Sequence, residues 1–250
     1  MKIIISLATH VGLVRSGNED AIGLLGWALQ GHRPNPLTLS MPLGRTHLGL
    51  VVCDGLGGHS GGATASRLAA EFLSAHDGGP ADGPEERRGL IWRVREAGRR
   101  LDRAAEASPD LQGMGTTAVG IEFSPEGTAA AYNVGDSRAY RVTEGMLGRL
   151  TTDDRRSEQG SILTQALGGG SDPDPHVFEI VPQLGDRYVL CTDGLTDLVP
   201  EEAIAGIVAA LSTSEDRFNT EQAAGKLIHL ALDAGGNDNV TVAVAEVVAG

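Results

Sequence analysis

The sequence predicts an α+β fold in which antiparallel sheets pack against each other and helices lie outside them. Three observations predict it. Apolar strand-like runs outnumber helical ones, short turns join many of them as hairpins, and the helical stretches come in two groups, one before and one after a strand-rich middle. A repeating strand-helix-strand alternation, the mark of a parallel sheet, is missing.

Taken in order, residues 2–8 read as a strand and residues 21–27 as another, after a turn at 15–20. The stretch 31–45 carries three prolines and no periodicity, which predicts a surface loop. Residues 47–53 form an apolar strand that runs into Asp54-Gly55, and a glycine-rich turn at 57–62 leads to a helix over 63–76. In that helix Ala65, Leu68, Ala69, Phe72 and Leu73 recur at helical spacing. A polar loop at 77–85 precedes a longer helix to Ala107, apolar along one stripe and arginine-rich on the other.

The middle reads as a meander of strands at 116–123, 128–134 and 139–142. A short helix is expected near Leu163, strands at 177–181 and 187–191, helices at 201–211 and 220–232, and a last strand at 240–248. No repeat or linker divides the chain, so residues 1–250 are expected to form a single domain.

Bulk properties narrow the function. A formal net charge of -13 repels phosphate backbones and anionic lipid, which argues against nucleic-acid or membrane-surface binding. Cys53 and Cys191 are isolated in apolar runs, so the chain reads as coming from a reducing compartment, with each thiol packed in a strand. No run approaches the roughly 18 apolar residues that span a bilayer, and the start lacks a signal-peptide cleavage pattern. The expected location is cytoplasmic. Trp27 and Trp92 are expected to be core or partly buried residues, and the seven histidines show no metal-ligand spacing.

Chemistry concentrates where apolar strands end in aspartate. Asp54, Asp136 and Asp193 each follow such a strand, Asp238 precedes one, and Asn18-Glu19-Asp20 precedes another. Carboxylates at the ends of buried strands are costly unless their charge is compensated. Converging at one rim, they would require cations, and oxygen-only donors suit Mg²⁺ or Mn²⁺.

The segments Arg15-Ser-Gly-Asn18-Glu19-Asp20, Asp54-Gly55-Leu-Gly57-Gly58-His59, Met114-Gly115-Thr116-Thr117, Gly135-Asp136-Ser137-Arg138-Ala-Tyr140, Cys191-Thr-Asp193-Gly194-Leu-Thr-Asp197 and Gly236-Asn237-Asp238-Asn239-Val-Thr241, in this order, resemble the bacterial type 2C serine/threonine protein phosphatases. The resemblance runs from about Thr9 to Val248. It implies a four-layer α-β-β-α sandwich, two central antiparallel sheets flanked by helix pairs, with a two-metal site at one edge. It implies hydrolysis of phosphoserine and phosphothreonine on proteins by a hydroxide bridging two Mn²⁺ or Mg²⁺ ions.

Carried over residue by residue, Asp54 resembles the carboxylate bridging both ions, and the Gly55 carbonyl a ligand of the second. Asp193 and Asp238 would complete the first ion's shell, with Glu19 and Asp20 acting through bound waters. Asp136 resembles a contributor to a weaker third ion. Arg15 resembles the phosphate clamp, its planar fork matching two phosphate oxygens; the plainer reading is a surface arginine paired with Glu19 or Asp20. A serine/threonine kinase is the implied opposing partner.

Two departures stand out. Leu56 occupies the position of a histidine in eukaryotic relatives, which leaves leaving-group protonation to a metal-bound water or to His59. The flap is truncated as well. Asp154 follows Leu150-Thr151-Thr152-Asp153 where relatives carry histidine, and only residues 155–162 precede Leu163-Thr164-Gln165-Ala166-Leu167-Gly168. Two alternatives stay open, a non-catalytic partner-binding module of the same fold and a small-molecule phosphoesterase. Asp197 reads as a turn or helix-start residue.

Overall fold

The structure, a computed structural model, describes residues 1–57, 60–75, 84–156, 162–210 and 218–250. The first half holds β1 (Lys2–His10), β2 (Ala21–Leu24), β3 (Trp27–Gln30), β4 (Arg33–Pro42), β5 (Leu48–Cys53), β6 (Gly55–Leu56), α1 (Ser60–Ser74) and α2 (Pro84–Ala107). Next come β7 (Gly115–Thr116), β8 (Ala118–Phe123), β9 (Ala129–Val134), β10 (Arg138–Thr143), β11 (Met146–Arg149) and β12 (Leu167–Gly168). The chain closes with β13 (His176–Ile180), β14 (Arg187–Cys191), α3 (Asp193–Thr196), α4 (Glu201–Val208), α5 (Thr220–Asp233) and β15 (Val240–Val248).

Two six-stranded antiparallel sheets result, ordered β11-β10-β14-β15-β1-β4 and β13-β9-β8-β5-β2-β3, beside a small sheet β12-β7-β6. Their inner faces share one core, in which Ile3, Ile5 and Leu7 of β1 and Ala243, Ala245 and Val247 of β15 meet Ile22, Leu50, Val52 and Ile121. The alternate residues of β15, Val240, Val242 and Val244, face outward under Ile204, Leu227 and Ile228 of the C-terminal helices. On the opposite sheet Val51, Cys53 and Ala118 lie under Ala69, Leu73, Val94 and Leu101 of α1 and α2. Each central strand is thus buried on both faces, which is why these strands read as unbroken apolar runs. The expected four-layer sandwich is the architecture found.

Several local expectations change. Residues 21–27 form a hairpin rather than one strand, because Leu25 and Gly26, at φ 53° and 81°, turn the chain back as a tight hairpin turn demands. The proline-bearing stretch expected as a loop is β4, paired along β1 from Lys2↔Pro42 to Thr9↔Arg33. It lies at the sheet's edge, where a proline's missing N–H need not cost a ladder bond. Among the described residues no helix forms near Leu163; that residue makes an isolated antiparallel bridge with Arg155. The short strands β11 and β12 were not expected. Trp27 and Trp92 are exposed rather than core, while both cysteines are buried within strands. The first helix starts earlier than expected, and the α4 helix stops at Val208. The polar loop at 77–85 lies mostly outside the described residues, as does Leu211. Among the described residues, no helix is long and apolar enough to cross a membrane.

Candidate metal centre

Strand register brings the aspartates to one rim. In the first sheet Val240 pairs with His10, Cys191 with Val242, and Arg138 with Cys191. Asp238 lies two residues before Val240, Asp193 two after Cys191, and Asp136 two before Arg138. In the second sheet Cys53 pairs with Ala21, which sets Asp54 beside Asp20.

Backbone contacts fix each carrier. The Asp54 carbonyl accepts from the Thr117 N–H at 2.9 Å and from the Thr116 hydroxyl at 2.7 Å, and the Asp54 N–H donates to Thr117 Oγ1 at 3.1 Å. Thr117 Oγ1 also bonds Ser137 Oγ, tying the Asp54 and Asp136 segments together. Asn239 accepts from the Glu19 N–H and donates to the carbonyls of Val11 and Gly17. Asn18 accepts from the Asp20 N–H and donates to Thr9. These side chains lie in the motifs read from the sequence, but their roles emerge only from long-range contacts.

Gly55 and Gly194 serve close approach rather than a special φ, whereas Gly135 before Asp136 sits at φ 100° and also packs tightly on Thr117. A Cβ on Gly194 would stand 1.9 Å from the Asn239 carbonyl oxygen, so Asp193-Gly194 opens α3 hard against the Asp238-Asn239 segment. A Cβ on Gly62 would meet Glu19 Oε2 at 1.9 Å, so the start of α1 seats the Glu19 carboxylate only because that position is bare.

The electrostatics are those of an acidic cluster short of positive charge. Asp20 is fully buried; its Oδ2 accepts from the Thr192 hydroxyl at 3.0 Å, whereas among the described residues its Oδ1 has no hydrogen-bond partner. Burial lifts its pKa to about 7, only partly offset by the Thr241 and Thr192 hydroxyls, and the charges of Asp193 and Asp238 push it up further. Asp54 is raised well above the carboxylate range, first by burial and then by Asp20, Asp193, Asp136 and Asp238. Asp193 rises to about 6 through burial, Asp136 and Asp197, with Arg155 opposing. Mutual influence of this kind requires that the five carboxylates be neighbours, although they come from both sheets.

Two arginines supply the positive charge present. Arg15 Nη2 donates to Asp238 Oδ2 at 2.7 Å, so it pairs with neither Glu19 nor Asp20. Arg155, which no sequence reading singled out, reaches Asp136 Oδ2 at 2.5 Å, Asp193 Oδ2 at 2.9 Å and Asp197 Oδ1 at 3.1 Å. Asp197 sits at the C-terminal end of α3 and closes it, its N–H donating to the Asp193 carbonyl. Among the described residues, no three acidic, histidine or cysteine side chains enclose a point as they stand; Asp238 and Asp193 each give an oxygen to an arginine. His59 lies outside the described residues.

The donor set nevertheless fits divalent cations. It is all oxygen and over-rich in negative charge, and it leaves one buried carboxylate oxygen unmatched, which are the conditions hard ions such as Mg²⁺ and Mn²⁺ satisfy. A two-sheet sandwich with a cation-demanding carboxylate rim is the class this chain falls in.

Comparison narrows the class to a family. The protein phosphatase 2C profile matches residues 43–230. The serine/threonine protein phosphatase PstP of Mycobacterium tuberculosis is 34% identical over 95% of this chain, which spans 43% of that relative's length. The serine/threonine phosphatase stp of Listeria innocua is 31% identical, with 95% of this chain and 93% of the relative covered. Among solved structures, the catalytic domain of PstP in complex with two manganese ions is 30% identical, with a TM-score of 0.73 over all of this chain. The chain belongs to the protein phosphatase 2C family.

Proposed function

We propose that this chain is a metal-dependent phosphatase that hydrolyses phosphoserine and phosphothreonine on protein substrates, opposing a serine/threonine kinase. The observation that carries the reading is the convergence of Asp20, Asp54, Asp193 and Asp238 at one rim, the first three raised in pKa first by burial and one oxygen of Asp20 buried without a partner among the described residues. The names and the two-manganese complex of its relatives support the same assignment.

In this reading Asp54, Asp193, Asp238 and the Gly55 carbonyl would hold the two ions. Two bound divalent ions supply Lewis acidity at phosphorus and a water of lowered pKa. Asp20 and Glu19 accept hydrogen bonds from water around the ions and fix its orientation. Arg15 stands on an exposed stretch beside Asp238, where its guanidinium would grip two phosphate oxygens of the substrate.

The test is Mn²⁺- or Mg²⁺-dependent release of phosphate from a phosphothreonine peptide, abolished by EDTA and by Asp54→Ala. A metal-loaded wild type as inert as Asp54→Ala would instead indicate a partner-binding module. Faster turnover of small phosphoesters than of phosphopeptides would indicate a small-molecule phosphoesterase.

A further inference from the structure

We propose that Arg155 is a built-in cation of the acidic rim, holding the place between Asp136 and Asp193 that a further divalent ion would otherwise take, so that this chain binds two ions and not three. The inference rests on the two-ion reading above and replaces the third ion that the sequence suggests at Asp136.

Three guanidinium nitrogens meet three carboxylates from separate places: Nε meets Asp136 in the β9–β10 turn, Nη2 meets Asp193 at the start of α3, and Nη1 meets Asp197 at its end. Only 12% of the Arg155 side chain is exposed. A guanidinium cannot be discharged at any accessible pH, and its planar fork suits several oxygens at once. An incoming ion would therefore have to break all three contacts. Asp54 and Asp238 make no contact with Arg155, and Asp193 commits Oδ2 to it, which leaves its other oxygen for an ion.

The position is also locked from behind. The preceding residue, Asp154, is buried, and its N–H donates to the Gly135 carbonyl. Its carboxylate accepts from the Gly135 N–H at 2.9 Å and from Gln165 Nε2 at 2.8 Å, and lies 3.1 Å from His176 Nε2. Its carbonyl accepts from Thr164 N–H at 2.7 Å, and Arg155 itself bridges to Leu163. The aspartate that departs from the family pattern thus anchors the shortened flap to the Asp136 turn and aims the next residue at the rim.

Native mass spectrometry of the whole chain in graded Mn²⁺, paired with thermal melting, tests this. Wild type is expected to saturate at two ions. Arg155→Gln should gain a third, weaker ion, Arg155→Lys should stay at two, and adding Asp136→Asn to Arg155→Gln should return the count to two. A wild type that takes three ions would overturn the proposal even if the glutamine variant does not fold, as would a folded Arg155→Gln that stays at two. A wild type that binds no ion would instead fail the two-ion reading beneath it.

Discussion

The two ends of the acidic rim are each met by an arginine, and the two are placed differently. Arg15 comes from an exposed loop, is 56% exposed along its side chain, and holds one carboxylate, Asp238, that is itself 40% exposed. Arg155 is 12% exposed, holds three carboxylates, and follows a buried residue clamped on all sides. Solvent and salt screen the first pair, which makes it easy to exchange for another anion. In the second group Arg155 and Asp136 are buried while Asp197 is half exposed, and removing the positive charge would leave Asp136 and Asp193 facing each other. One end is therefore free to exchange its partner, the other held in shape.

The largest effect should come from removing the residue between the two ends. Asp54→Ala is expected to bring Mn²⁺-dependent phosphopeptide turnover to background and to remove the Mn²⁺-induced rise in melting temperature. Retention of that rise would place the ions elsewhere.

Next comes the difference between the arginines. In metal-free protein, Arg155→Gln should destabilise by about 3 kcal/mol, as for a buried ion pair losing one partner, measured by urea unfolding. Saturating Mn²⁺ should return much of this loss, because an ion then offsets the same carboxylates. Arg15→Ala should change stability by less than about 0.5 kcal/mol yet lower kcat/KM on a phosphopeptide roughly 10²-fold, the scale of a lost charge-assisted contact. Equal stability losses in the two variants would erase the distinction drawn here.

A last effect concerns pH. With Asp20 raised to about 7 and Asp193 to about 6, the native state binds more protons than the unfolded chain between pH 4 and 7. Each group therefore contributes stability when protonated, and that contribution is lost as pH rises through its folded pKa. Metal-free protein should lose stability from pH 5 to 8, while Mn²⁺ should stabilise more at pH 8 than at pH 5. Asp20→Asn should flatten the metal-free slope, at about 1.4 kcal/mol per pKa unit removed. An unchanged slope would show that Asp20 does not titrate in this window.

Much of this arrangement was legible in the sequence, for identifiable reasons. The central strands could be read because burial on both faces forces continuous apolar runs, and β14 and β15 were placed to the residue. The rim aspartates stood out because each breaks such a run. What escaped was set by distant partners. β4 is a strand only because the β1 edge receives it, and nothing local in its prolines announces that. The shortened flap was visible as a departure at Asp154, but not that Asp154 would be bound by Gly135, Gln165 and His176, nor that Arg155 would turn back onto Asp136. That Gly55 and Gly194 are points of close backbone approach could not be read either, because it depends on what packs opposite.

Anomalous scattering from crystals grown in Mn²⁺ addresses the central claim most directly. The expected map has two peaks, one bounded by Asp54, Asp193 and Asp238 and one by Asp54 and the Gly55 carbonyl, with guanidinium density and no peak between Asp136 and Asp193. Manganese absent from the Asp54 rim, or bound only at sites away from it, would contradict the account.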